Sequence, residues 1–330
     1  MLLPRFRIGL SYLALSMLAV GLASASAAVA EPHVVVTSKP IHSIVASVLG
    51  DVAKPVLLID EAGASPHTYA LRPSDAAAVH SADVFFRVSP ALEPFTIKLV
   101  RALPTSVKVV TLAEAPGLKL LLRRTGRTFQ KDAHGHDVHV GKEFHGDRSD
   151  THHHDRAAVD PHVWLDPENT KAMTAAVLKS LMELVPERAE QLKANALAFS
   201  DRIDRLSAKL DGQLAGVRKR PFLAFHDAYQ YFEQRFGLAA AGAVTLSPEA
   251  QPSARRLTEL RRLVTSEGVV CVFTEPGLQH RVAASITEGS GVRIAQLDPE
   301  GALIAPGQGL YFELMARLAD TFKSCLGNSA

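Results

Sequence analysis

The chain has 330 residues, of which 47% are hydrophobic and 21% charged, and these values are typical of a globular protein long enough for two domains. Its 36 Lys and Arg residues balance its 34 Asp and Glu residues once Arg5 and Arg7, which lie in a segment that we expect to be removed, are subtracted. A neutral chain with 6% aromatic residues argues against a nucleic-acid-binding protein. The 14 histidines point instead to a metal-binding protein.

The first 30 residues have the three parts of a secretory signal peptide. Arg5 and Arg7 precede an apolar run from Ile8 to Leu22, and small residues follow as far as Ala30. The apolar run is shorter than the ~20 residues that a membrane-spanning helix needs, which disfavours the alternative of a membrane anchor. We expect export to the periplasm and cleavage after about Ala30.

Beyond this segment, short β-branched or apolar runs alternate with segments of helical periodicity. The predicted strands are 33–37, 56–59, 83–88, 107–112, 162–165, 222–225, 239–246, 269–273 and 293–297. The predicted helices lie at about 40–49, 73–81, 94–103, 168–184, 227–236, 252–266, 278–289 and 309–325. This alternation predicts an α/β protein with parallel sheets, in which ligands bind beyond the carboxyl ends of strands.

One further predicted helix, from Glu187 to about Ala215, is longer than the others. Its apolar residues recur every three or four positions and form a single stripe: Leu192, Ala196, Phe199, Ile203, Leu206, Leu210 and Leu214. We interpret it as a rigid connection of roughly 40 Å between two lobes, and a long surface helix within one domain is the alternative. The expected organisation is an N-terminal α/β lobe at 31–185, a linking helix at 186–216 and a C-terminal α/β lobe at 217–330.

The alternation breaks in a polar segment without periodicity, at about 123–160, which we call the His-rich loop. It contains half of all the histidines: His134, His136, His139, His145, His152, His153 and His154. His-rich tracts bind transition metals through neutral imidazoles, weakly because the segment must become ordered on binding. We expect an auxiliary, low-affinity metal loop, and a solvated loop that is indifferent to metals is the alternative.

Three other histidines lie in segments with predicted secondary structure. His67 lies between a predicted strand and a helix that begins at Pro73, His162 lies at the start of a predicted strand beside Trp164, and His226 lies where a strand ends. A single histidine of this kind is more often structural than a ligand. Three of them near strand ends, in an exported chain with a His-rich loop, favour a metal site.

The residue types at this predicted site favour zinc. Imidazole nitrogens suit Zn²⁺, whereas Mn²⁺ prefers more carboxylates. Three histidines leave a fourth position open, for which Asp298, after the last predicted strand, and a water molecule are both candidates. The sequence identifies no hydrogen-bond partners for the imidazole N–H groups.

The chain contains two cysteines, Cys271 and Cys325. An even number in an exported protein favours a disulfide, and two buried free thiols are the alternative. Zinc–thiolate coordination is less favoured because the chain has no C-x-x-C pair.

Several segments together resemble the ZnuA-type periplasmic zinc-binding proteins, which are the solute receptors of ABC zinc importers. They are GASPHTYALRPSDAAAVHSAD, DPHVWLDPEN, FLAFHDAYQYFEQRFGL, SPEAQPSARRLTELRRL, VVCVFTEPGLQ and the terminal region through Cys325. The resemblance implies two parallel-sheet α/β lobes joined by one long rigid helix, with one metal site in the cleft between them. It also implies that His67, His162 and His226 are the high-affinity ligands of a transported Zn²⁺, and that Cys271 and Cys325 form a disulfide.

One residue departs from the family pattern. Many zinc members carry an acidic residue directly before the first ligand histidine, and Pro66 occupies this position here. The departure leaves water or Asp298 as the fourth ligand. The resemblance implies a membrane permease and its ATPase as partners. A periplasmic zinc chaperone is a further candidate partner, and we expect a monomer.

The leading hypothesis is therefore a periplasmic binding protein that captures Zn²⁺ and delivers it to an ABC permease. One alternative is a Mn²⁺ or Fe²⁺ receptor with the same fold. Another is a zinc hydrolase or hydratase, because three histidines and a water are also the ligand set of carbonic anhydrase. The absence of an H-E-x-x-H motif and of an obvious general base argues against an enzyme.

Overall fold

A computed structural model describes residues 31–61, 63–124, 129, 159–246, 248, 250–277 and 280–327. The predicted signal peptide and the seven histidines of the His-rich loop lie outside these residues. None of the helices that the structure describes combines the length and the apolar character needed to cross a bilayer.

The first half of the described chain forms a four-stranded sheet flanked by helices. In chain order the elements are β1 (Val34–Val36), α1 (Lys39–Leu49), β2 (Val56–Leu57), α2 (Pro73–His80), β3 (Val84–Arg87), α3 (Thr96–Arg101) and β4 (Lys108–Thr111). All strand pairs are parallel and the strand order is β2-β1-β3-β4. Every residue of β1 is buried, as expected for an inner strand of a parallel sheet that helices cover on both faces.

Two consecutive helices, α4 (Pro167–Leu184) and α5 (Ala189–Leu214), lead from this sheet to the second half of the chain. All seven residues of the predicted apolar stripe on α5 are buried. The 26 residues of α5 span about 39 Å at a rise of 1.5 Å per residue. Because α5 contacts α1, α4 and the last helix of the chain, it packs against both halves of the protein.

The second half repeats the architecture of the first. Its elements are β5 (Pro221–His226), α6 (Gln230–Phe236), β6 (Ala239–Thr245), α7 (Ala254–Ser266), β7 (Cys271–Thr274), α8 (His280–Thr287), β8 (Arg293–Gln296) and α9 (Leu310–Leu326). The strands are again parallel, in the order β6-β5-β7-β8. The predicted fold class, two parallel-sheet α/β lobes joined by one long helix, is confirmed. The lobe boundaries at residues 185 and 216 stay predictions.

The predicted disulfide is present and joins β7 to α9 in the second lobe. The Cα atoms of Cys271 and Cys325 lie 6.0 Å apart, and 54 residues separate the two along the chain. The bridge therefore closes about half of the C-terminal lobe into a covalent loop.

The predicted strand at 162–165 is wrong. Val163–Leu165 form a short 3₁₀ helix, and His162 is its N-cap residue. The backbone amide of His162 donates to the Asp160 carboxylate at 3.0 Å, and that of Leu165 donates to the His162 carbonyl at 3.1 Å. These local hydrogen bonds replace a strand ladder, while the apolar side chains of the segment are buried just as they would be in a strand.

Candidate metal centre

The structure brings the three predicted histidines together from three separate segments. His67 lies in the loop between β2 and α2, His162 caps the 3₁₀ helix before α4, and His226 is the last residue of β5. His162 and His226 are buried and His67 is half-buried. They form the one group of three or more potential metal ligands found among the described residues, with ligand atoms all within 4.8 Å of one another.

Two of the three spacings between the ring nitrogens match those of a tetrahedral zinc site. His162 Nε2 lies 3.4 Å from His67 Nε2 and 3.4 Å from His226 Nε2. Two imidazole nitrogens at ~2.0–2.1 Å from a tetrahedral zinc ion lie roughly 3.3–3.4 Å apart. The three side chains can therefore bind one cation through Nε2 with little rearrangement.

Two buried carboxylates bind the Nδ1 atoms of His162 and His226, on the side of each ring away from Nε2. His162 Nδ1 lies 2.8 Å from Asp160 Oδ1, and His226 Nδ1 lies 2.7 Å from Glu275 Oε2. A proton on each Nδ1 donates to its carboxylate and leaves Nε2 free to bind a metal ion. The Tyr229 hydroxyl donates to the second oxygen of Glu275 at 3.0 Å and fixes that carboxylate in turn.

The electrostatics of the cluster favour neutral rings on two of the three histidines. Burial, together with the proximity of His162, His226 and Arg123, lowers the pKa of His67 to about 2. Burial also lowers the pKa of His162 well below its usual value. Burial acts in the same direction on His226, but the charge and hydrogen bond of Glu275 outweigh it and raise the pKa of His226. A divalent cation at Nε2 would take the place of that proton.

Asp298 is not part of the histidine cluster. Its Oδ1 accepts the backbone amides of Glu300 and Ala302 at 3.3 and 3.0 Å, and its Oδ2 accepts that of Leu303 at 3.1 Å. The carboxylate thus stabilises the loop after β8. A metal bound through Asp298 would share the carboxylate with these three amide donors.

A cavity of about 290 Å³ adjoins the cluster on the side of His226. Its lining includes the acidic side chains of Glu275, Asp298 and Glu300. Burial and the nearby carboxylates raise the pKa of Glu300 well above its usual value. The acidic lining favours the approach of cations to the histidines.

Comparison with known proteins identifies the family. The family described as "Zinc-uptake complex component A periplasmic" (ZnuA) matches residues 34–325. The chain belongs to the ZnuA family. It is 40% identical over 329 residues to the high-affinity zinc uptake system protein ZnuA of Brucella abortus (strain 2308), covering 96% of this chain and 97% of that protein. It is 32% identical over 297 residues to the ZnuA of Yersinia pestis, covering 90% of this chain and 92% of that protein.

A solved structure shares the ZnuA fold seen here. The periplasmic zinc binding protein TroA from Treponema pallidum superposes with a TM-score of 0.71 at 20% identity, covering 91% of this chain and 100% of that chain. At this level of identity the likeness concerns the fold alone.

The sequence predicted the three histidines but not Asp160 and Glu275, the carboxylates that bind two of the rings. Asp160 lies only two residues before His162, so the local sequence could have indicated it as a hydrogen-bond partner of that ring. Glu275 follows β7, and β7 pairs with β5, which ends at His226. The seven loop histidines lie outside the described residues, and their predicted role stays a prediction.

Proposed function

We propose that this chain is a periplasmic receptor that captures Zn²⁺ through His67, His162 and His226 and delivers it to the permease of an ABC importer. The observation that carries the proposal is the convergence of three imidazole Nε2 atoms, two pairs of which are 3.4 Å apart. Membership of the ZnuA family supports zinc as the cargo and an importer as the destination.

The donor set favours zinc over manganese or iron. The three clustered donors are neutral nitrogens, which suit Zn²⁺, whereas Mn²⁺ prefers carboxylate oxygens. Asp298 is held by three backbone amides and Pro66 has no donor side chain. We therefore assign the fourth position to water.

We assign the site a binding role and no catalytic one. The carboxylates of Asp160 and Glu275 accept bonds from ligand imidazoles, which engages them in orienting the ligands rather than in activating a water. The remaining parts of the proposal concern the whole chain: export with cleavage after about Ala30, action as a monomer, auxiliary zinc binding by the His-rich loop, and loading by a periplasmic zinc chaperone.

A calorimetric zinc titration of residues 31–330 tests the proposal. We expect one tight site that His67→Ala weakens severely and that a deletion of residues 131–156 preserves. His80→Ala is the matched control, because His80 is an exposed histidine at the end of α2 in the same lobe. If the tight site disappears with the deleted loop and survives His67→Ala, the assignment of the ligands is wrong.

A further inference from the structure

The chain segments at the two ends of the His-rich loop, Leu121–Arg124 and Val159–Asp160, lie side by side. We call this pair of segments the stem. The backbone amide of Asp160 donates to the Leu121 carbonyl at 2.8 Å, and Leu122 and Val159 form an antiparallel bridge. The stem therefore has a defined conformation.

Tyr231, on α6 of the C-terminal lobe, binds both segments of the stem. Its hydroxyl accepts the backbone amide of Leu121 at 3.1 Å and donates to the carbonyl of Asp160 at 3.0 Å. Tyr231 is 1% exposed, so water does not compete for these two hydrogen bonds. One buried hydroxyl thus fastens the stem to the second lobe.

Arg124 makes a second connection from the stem to the C-terminal lobe. Its guanidinium donates to Asp227 Oδ1 at 2.9 Å and to the Glu233 carboxylate at 2.6 and 3.3 Å. The side chains of Asp227 and Glu233 are 7% and 5% exposed. The guanidinium also lies over the ring of Phe129, 3.9 Å from its centroid, which shields the ion pairs from solvent.

Both connections end next to a proposed zinc ligand. Asp160, whose carbonyl Tyr231 binds, is the residue whose carboxylate holds the His162 imidazole. Asp227, which Arg124 binds, directly follows His226 in the chain. Parting of the stem from the C-terminal lobe would therefore disturb the geometry of both histidines.

We propose that Arg124 and Tyr231 are positioning residues that attach the stem to the C-terminal lobe, and we call this pair the clamp. The attachment keeps His162 and His226 at the spacing that binds one cation. It thereby slows the release of bound zinc. The inference rests on the proposed function, because it assumes that His162 and His226 share one cation. Neither residue touches the cation itself.

The charges explain why this clamp resists opening. Asp227 and Glu233 belong to the C-terminal lobe and contact Arg124, which comes from the other half of the chain. Moving Arg124 away would leave two buried carboxyl groups without the cation that favours their ionised form, a costly arrangement. Loss of one member of such a pair acts mainly on the rate at which the two joined surfaces separate, which here are the stem and the C-terminal lobe.

The test is the rate of zinc release from residues 31–330, followed with an excess of a colorimetric chelator. Arg124→Ala is compared with Arg235→Ala, the matched control. Arg235 lies on α6, the helix that carries Tyr231 and Glu233, and also reaches out of its lobe, to Glu168 on α4 and Ser207 on α5. Among the described residues it makes no hydrogen bond or ion pair with the stem or with Asp227. We expect Arg124→Ala to accelerate release roughly tenfold to a hundredfold, with association within about threefold of wild type. Arg235→Ala should change release by less than about threefold.

Three more variants separate positioning from general stability. Arg124→Lys keeps one charge but not the forked contact, and Tyr231→Phe removes only the bridging hydroxyl, so each should give an intermediate acceleration. The exchange Arg124→Glu with Glu233→Arg re-forms the ion pair with residue 233 but sets a carboxylate against Asp227, so it should slow release only in part relative to Arg124→Glu alone. The melting temperature of each variant without zinc shows whether it is folded.

The outcomes separate failure of the clamp from failure of the proposed function. If wild type binds zinc tightly and Arg124→Ala and Tyr231→Phe release it at the wild-type rate, the clamp is refuted and the proposed function stands. Equal acceleration by Arg124→Ala and Arg235→Ala also refutes it, as does a charge exchange that releases zinc as fast as Arg124→Glu alone. Absence of tight zinc binding by wild type overturns the proposed function, and the clamp with it.

Discussion

Replacing Glu275 with glutamine measures how much of the zinc affinity comes from the group behind His226. The carboxylate is 5% exposed and accepts the His226 Nδ1 proton at 2.7 Å. Glutamine has nearly the same shape, and its amide oxygen can accept the same hydrogen bond. The variant therefore removes the negative charge and keeps the acceptor for His226, while its NH2 group replaces the oxygen that accepts from Tyr229.

The size of the effect follows from the distances. With a Zn–N bond of ~2 Å, the carboxylate lies about 7 Å from a cation on the far side of the His226 ring. At an effective dielectric constant of ~20, a full negative charge at this distance stabilises a divalent cation by about 5 kcal/mol, which is a ceiling. Partners of this kind typically change metal affinity ten- to hundredfold. We expect the zinc Kd of Glu275→Gln to rise by that factor, equivalent to about 1.4–2.7 kcal/mol.

The assay is competition with a chelator of known zinc affinity at neutral pH. Glu183→Gln is the control, because it removes the same charge from an exposed ion pair with Lys108 and should leave the Kd within about twofold of wild type. A Glu275→Gln protein that is folded and binds zinc as tightly as wild type would refute the view that this carboxylate strengthens the ligand.

Three further predictions concern stability, measured by urea denaturation of the zinc-free protein. Replacing Cys271 and Cys325 by serine should lower the free energy of unfolding by about 4 kcal/mol, because a loop of 54 residues is no longer closed; an unchanged value would contradict this. Gly50→Ala should cost at least about 1 kcal/mol, since Gly50 has φ +58° and a Cβ there would lie 2.5 Å from Asn195 Nδ2; equal stability would refute the clash. Burial raises the pKa of Glu93 to about 7, above its ordinary 4.5, so its ionisation destabilises the folded state as pH rises between these values. Wild type should therefore lose about 3 kcal/mol relative to Glu93→Gln over this range, and parallel pH profiles would exclude the effect.

Much of the fold is encoded locally and was therefore predictable. The stripe from Leu192 to Leu214 identified α5 because burying one face of a helix requires apolar residues every three or four positions. His226 was placed correctly because a continuous apolar run, typical of a strand buried on both faces, ends there.

The surroundings of the ligands depend on long-range packing, which periodicity does not encode. Glu275 reaches His226 because β7 pairs with one edge of β5 while β6, the next strand in the chain, pairs with the other. The pattern of strands does not specify that order. The segment after His162 was mistaken for a strand because a short buried apolar run has the same pattern in a 3₁₀ helix.

The indole of Trp164 occupies an unusual position for the only tryptophan of the chain. Its ring centroid lies 5.4 Å from that of His162, and its N–H donates to the Pro299 carbonyl in the C-terminal lobe at 2.9 Å. All the native indole emission therefore originates from one fluorophore that contacts both a proposed zinc ligand and the opposite lobe. The arrival of a cation and the parting of the lobes would each alter the surroundings of that fluorophore, so the unlabelled protein is its own optical sensor.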